Sequence, residues 1–156
     1  MNMLIAFIEP PSSGNERILA LWPSTSLGPV NILSVYAPIL CSTLEEKDQF
    51  NEALDQAISS ILNNEGLNLL GDFNARVGAD HEAWPTCLSS HGRAKINENS
   101  QRLLEMCCSH SLFVTNTYFK CKEIHQVSRR HPRSHHWHQL DLLRTRTTPL
   151  WPARCE

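Results

Sequence analysis

A chain of 156 residues with 41% apolar side chains and a formal charge of −2 has the size and make-up of one globular domain built on a single core. No run of about 18 apolar residues occurs, and the opening MNMLIAFIEPPSSGNER has a short apolar patch with no basic flank before it, so neither a membrane span nor a secretory signal is indicated and an intracellular protein is expected. The charge is unevenly spread: residues 1–119 carry 6 basic and 13 acidic side chains, whereas residues 120–156 carry 8 basic and 3 acidic.

Residues 4–8 read as a short strand that EPPSSGN breaks. ERILALW (16–22) and VNILSVYA (30–37) are rich in strand formers and are separated by PSTSLGP, which predicts a hairpin of two strands. From Thr43 the spacing changes to that of a helix. Phe50, Ala53, Leu54, Ala57, Ile58 and Ile61 line one stripe, Thr43 and Glu46 have capping-box spacing, and NNEG ends the helix near Gly66. LNLLGDF then reads as a short apolar strand covered on both faces. Residues 79–97 are mostly loop formers. A second helix is expected over 97–110, with Leu103, Leu104, Met106 and Cys107 inward and with Glu98, Asn99 and Arg102 as its N-terminal and solvent-facing residues. SLFVTNTYF (111–119) reads as a strand, and two more short strands are expected around 125–129 and 137–143. Strands interleaved with helices predict an α/β or α+β layered domain over 1–144, its loops gathered at one sheet edge, with 145–156 a divergent tail. The six cysteines show no C-x-x-C spacing and suit reduced packing residues better than a disulfide or zinc framework.

Residues able to do chemistry stand where strands end. In NLLGDFNARVG (68–78), alternation along a strand would project the Asp72 carboxylate and the Asn74 carboxamide from one edge. Asp and Asn are also common turn residues that bond local backbone, and these residues alone leave both readings open. Upstream, Tyr36 ends a strand just before a proline break; downstream, HPRSHHWHQLDLL places Asp141 near a strand start amid basic and imidazole groups. A tyrosine hydroxyl can donate to a phosphate oxygen, Asn74 can orient that oxygen or a water, and Asp72 can accept the water's proton, a set suited to phosphodiester hydrolysis. The basic quarter is compatible with phosphate contacts through Arg133 and His135, set against a solvated polar loop. The histidines of HPRSHHWH have no cysteine or carboxylate beside them at zinc-ligand spacing.

Five segments in order, SVYAP, LLGDFNARVG, HGRAKINENSQRLLEMC, LFVTNTYF and HPRSHHWHQLDLL, resemble the endonuclease domain of non-LTR retrotransposons, within the endonuclease/exonuclease/phosphatase superfamily. The likeness is greatest to RTE-type long interspersed elements and to craniofacial-development-protein-like sequences, and it runs over about residues 16–143. It implies a partial four-layered α/β sandwich of the DNase I type, a divalent ion such as Mg²⁺, a DNA phosphodiester substrate and a nuclear location. It also implies that Tyr36 contacts phosphate, that Asp72 and Asn74 are the paired catalytic residues, and that Asp141 orients a catalytic histidine. Ser128 falls on the hydroxyl-bearing position of a later strand, with Arg129 where the pattern has an aromatic. The family's metal-binding glutamate and its closing S-D-H segment have no counterpart here. The expectation is therefore a truncated relative of much reduced activity, with Asp72 alone left for the metal. Its alternative is a non-catalytic fragment that binds nucleic acid or a protein partner covering an exposed sheet edge.

Overall fold

Period-two alternation in ILAL, NILSVY and LNLLGD, and the stripe of the helix between the last two, build a sheet with helices laid on it. The computed structural model describes residues 16–23, 30–92 and 95–120 in full, and the backbone of 24–25, 28–29, 129–130, 137–138 and 141–145. In chain order the elements are β1 (Ile18–Leu21), β2 (Ser24–Thr25), β3 (Gly28–Pro29), β4 (Asn31–Tyr36), α1 (Leu44–Ser59), β5 (Leu67–Asp72), α2 (Glu98–Ser109), β6 (Phe113–Val114), β7 (Arg129–Arg130), β8 (Trp137–His138) and β9 (Asp141–Thr145). Five of them form one sheet in the order β1-β4-β5-β9-β6; β2 with β3 and β7 with β8 are two-stranded ribbons. The expected strand over residues 4–8 lies outside the described residues.

β1 and β4 form the antiparallel hairpin that the sequence predicts, from Ile18 opposite Val35 to Leu21 opposite Ile32. β4 and β5 are parallel, from Asn31 opposite Leu67 to Tyr36 opposite Asp72, and α1 is the crossover that a parallel pair requires. The Thr43 hydroxyl accepts the Glu46 amide at 3.2 Å and the Glu46 carboxylate accepts the Thr43 amide at 3.2 Å, so the capping box is closed. The helix stops at Ser59, ahead of Gly66. The Ser60 hydroxyl donates back to Ala57 O at 2.7 Å, and the Ile61 amide shifts to Ile58 O, tightening the last turn.

α2 runs beside α1 in the same direction, since ion pairs join Lys47 to Glu98 and Asp48 to Arg102, and a hydrogen bond joins His110 to Asp55. Both helix N-termini therefore lie toward the C-terminal end of β4. Arg102 and Glu98 bind the neighbouring helix rather than only solvent. Ile18, Ala20, Leu33, Val35, Leu67 and Leu69 are buried with Phe50, Leu54, Ile58, Leu103, Leu104 and Cys107 in one core. On the opposite face Leu70 is 36% exposed and Leu19 39%, while Ile32, Ser34 and Asn68 are partly buried. LNLLGDF is thus fully covered on the helix side, where both helices pack, and covered in part on the other.

The SLFVTNTYF strand is shorter than its composition suggests. Only Phe113 and Val114 pair, opposite Thr145 and Arg144, and Thr115–Thr117 form a 3₁₀ turn. The Thr117 hydroxyl donates to Val114 O at 2.8 Å and accepts the Ser89 amide at 2.9 Å, and such local side-chain bonding competes with the ladder. Tyr118 packs edge-on against Phe113, with ring centroids 6.1 Å apart. Its phenol is held above its usual pKa by burial and, second, by the charge that Cys87 can carry. No helix among the described residues is long and apolar enough to cross a membrane.

Gly71 has φ +137°, and a Cβ built there would lie 1.9 Å from Val35 O, a backbone atom that cannot swing aside. Gly71→Ala should therefore cost about 3 kcal/mol or more in urea unfolding, with part of the loss from the disfavoured dihedral and the rest from forcing β4 and β5 apart. A loss below about 1 kcal/mol would show that the two strands are not held this closely.

Candidate functional site

Two registers bring three distant segments level with one another. Tyr36 lies opposite Asp72 in the parallel β4–β5 pair, and Asp72 lies opposite Asp141 in the antiparallel β5–β9 pair. The three positions form one row across neighbouring strands. Register partners face the same side of a sheet, and for Tyr36 and Asp72 this is the side away from the helices. Tyr36 is 52% exposed. The Arg17 guanidinium stands 5.8 Å from its ring centroid and donates to Tyr36 O at 3.4 Å, so a cation borders the phenol.

Just beyond the row, backbone and side chain form a clasp. The Ala37 amide donates to Asp72 O at 2.8 Å, and the Asn74 carboxamide nitrogen donates to Ala37 O at 2.9 Å. Asn74 has φ 47°, a left-handed conformation that Asn tolerates better than most residues. Its own amide donates to the Asp72 carboxylate at 2.8 Å. Asn74 is therefore not a second strand residue projecting beside Asp72; it is 8% exposed and turned back onto the end of β4. The turn reading and the edge reading meet in the same residues, since Asp72 closes the turn with one carboxylate oxygen while standing level with Tyr36.

A second layer of polar groups holds the clasp. The Asn97 side chain accepts the Arg76 amide at 3.2 Å and the Ser100 amide at 3.0 Å, and it donates to Asn74 O at 3.2 Å. Asn99 donates to Pro38 O at 2.9 Å and to Asn74 O at 3.3 Å, and the Ser100 hydroxyl donates to Arg76 O. Asn99, expected to face solvent, instead bridges the segments after β4 and β5. Sequence reasoning missed these three; the available signal was the N-x-x-S spacing at the start of α2, an N-cap pair whose side chains have capacity left over. The Asn99 carboxamide oxygen is buried with no hydrogen-bond partner among the described residues.

Asp141 is placed by its backbone alone, while Ser128, Arg133 and His135 lie outside the described residues. Among the described residues no three His, Cys, Asp or Glu side chains converge as a metal cage. Mg²⁺ can be held by one or two carboxylates with substrate phosphates and water completing the octahedron, so Asp72 fits that open mode and not a closed protein site.

No protein-family model matches the sequence. Craniofacial development protein 2 from Bos taurus and that from Tragulus javanicus are each 28% identical over 106 residues, covering 68% of this chain and 18% of theirs. The chain thus spans under a fifth of the length of these curated relatives. The endonuclease domain of TRAS1, a telomere-specific non-LTR retrotransposon, superposes with a TM-score of 0.62 at 13% identity, covering 90% of this chain and 53% of that one. The chain therefore has part of the mixed α/β fold of DNase I-like endonuclease/exonuclease/phosphatase domains. It is also a distant relative of craniofacial development protein 2 over part of its length.

The clasp makes its own prediction. Asn97→Ala should destabilise the fold by about 1–2 kcal/mol, as loss of a helix cap does, and should speed hydrogen exchange at the Arg76 amide while leaving the Leu69 amide protected. Equal exchange at Arg76 in both proteins would show that Asn97 does not hold residues 74–76.

Proposed function

We propose that the chain carries a phosphodiester-engaging site of the DNA-endonuclease kind, centred on the row Tyr36, Asp72 and Asp141, with Asn74 beside it. The single observation that supports this reading is that register, set by the strands themselves, levels a phenol and two carboxylate-bearing positions from three separate segments. In this reading the exposed Tyr36 hydroxyl donates to a non-bridging phosphate oxygen. One Asn74 N–H stays on Ala37 O and the other orients the same oxygen or the attacking water, and Asp72 accepts the water's proton. Asp141, level with Asp72, orients an imidazole supplied from elsewhere. Asp72 is the residue that would hold Mg²⁺, whose chemistry when bound is to draw charge from a phosphoryl oxygen.

Purified chain incubated with supercoiled plasmid and Mg²⁺ should nick slowly, and Asp72→Ala should lower the rate by at least about 100-fold, the usual size of a general-base contribution. Equal nicking by both proteins would remove Asp72 from any catalytic role.

A second reading, binding to nucleic acid without chemistry, is favoured by the 8 basic and 3 acidic residues of 120–156, with Arg133 and His135 as phosphate contacts. It predicts sequence-independent DNA binding that weakens about tenfold or more between 50 and 200 mM salt, with no nicking in Mg²⁺. Binding insensitive to salt over that range counts against it.

A further inference from the structure

Away from the row, the loop that precedes α2 brings a second reactive pair together. Cys87 and Cys108 are thiols with Sγ atoms 3.5 Å apart, Cys87 buried in the 84–88 turn and Cys108 partly exposed at the end of α2. Both are held in place. The Cys87 amide donates to Trp84 O at 3.2 Å, Cys87 O accepts the Val114 amide at 2.9 Å, and the Thr86 hydroxyl lies 3.2 Å from the Cys108 sulfur. The neighbouring Cys107 is buried in the core, because successive helix residues are turned about 100° apart. Closing the gap to a covalent S–S length of about 2.05 Å asks for a shift of about 1.5 Å, within reach of side-chain rotation and a small movement of the turn.

We propose that Cys87 and Cys108 are a redox modification site that a hydroperoxide converts to an intramolecular disulfide and a thiol reductant restores. The Cys108 sulfur, the more exposed of the two, attacks the peroxide: an S–O bond forms, the O–O bond breaks, and the leaving oxygen takes a proton to give water or an alcohol. The Cys87 sulfur, deprotonated, then attacks the Cys108 sulfenic acid: the S–S bond forms, the S–O bond breaks, and hydroxide leaves and is protonated to a second water. Two thiols lose two electrons, and the peroxide gains them. The bond would tie the 84–88 turn to the last turn of α2, adding a covalent constraint where the structure has hydrogen bonds. This assignment is independent of the phosphodiester reading.

Intact-mass measurement of the full chain titrated with hydrogen peroxide should show loss of two hydrogens. Peptide mapping should recover Cys87 joined to Cys108, and dithiothreitol should reverse the change. The crosslinked form should melt at least about 5 °C higher than the reduced one. Cys41→Ser should leave the crosslink intact, and Cys108→Ser should abolish it. The mapping on the unmodified sequence decides the matter even if a serine variant folds poorly. Accumulation of sulfinic or sulfonic acid at Cys108 without a crosslink, or a crosslink from Cys87 to any other cysteine, overturns the proposal.

Discussion

Gly71 meets the Val35 carbonyl more closely than any other residue type would allow, and this approach sets where the row and its clasp can lie. Two parallel strands pressed together at that point fix Tyr36 opposite Asp72, the next pair along. The Ala37 amide then reaches Asp72 O, and the Asn74 carboxamide reaches Ala37 O. In the sequence G-D-F-N each letter thus has a separate physical task. The glycine permits contact, the aspartate closes the turn and stands level with Tyr36, the phenylalanine is buried in the core, and the asparagine takes the left-handed dihedral. A larger side chain at 71 would disturb packing and the row together, so stability and any chemistry at this edge are coupled through one backbone contact.

The sheet is asymmetric, and the row sits on its less protected side. Burying a Leu or Ile side chain contributes about 1.5–3 kcal/mol, and on the helix side Leu33, Leu67 and Leu69 draw that in full. On the other side Leu19 and Leu70 retain more than a third of their surface, and Tyr36 more than half. Any layer laid over Leu19 and Leu70 would also form a wall beside Tyr36 and Asp72, since all four face the same way. Covering the open face would change the water content of the site as well as the stability of the fold.

The first helix was legible because two independent signals agreed, an apolar stripe and the capping pair Thr43 with Glu46, and the second was legible from its apolar stripe alone. The hairpin was legible from strand formers on both sides of a turn-rich stretch. The cover over LNLLGDF was less so, because Leu69 and Leu70 are apolar on opposite faces, and how far each face is covered depends on where the helices pack. TNTYF failed for a different reason, as Thr117 offers its backbone a local partner that composition scores as strand propensity. At the row, the meeting of these residues was an expectation carried by the resemblance, and spacing along the chain could not derive it. The level of Tyr36 with Asp72 depends on the parallel register across α1, and that of Asp72 with Asp141 on a pairing between segments about 70 residues apart. The inward turn of Asn74 and Asn99 was hidden as well, since polar side chains read as solvent-facing until their backbone partners are known.

Electrostatics decide what the row can hold. Both helix N-termini lie at this end of the sheet, each worth about half a positive charge. Glu45 and Glu46 occupy the first turn of α1 and Glu98 that of α2, so whole negative charges offset the partial positive ones. Lys47 is buried and already bonded to Leu40 O and Glu98, and Arg102 is paired with Asp48. A phosphate about 4 Å from Asp72 would be repelled by about 1 kcal/mol in water and about 4 kcal/mol at the effective dielectric of a protein surface. Arg17, bordering Tyr36, offsets part of that repulsion. The remainder has to come from positive charge brought to the site, whether a divalent ion on Asp72 or the basic side chains of 120–156. Phosphate engagement at this edge should therefore depend on such charge more than on the hydrogen bonds that Tyr36 and Asn74 offer.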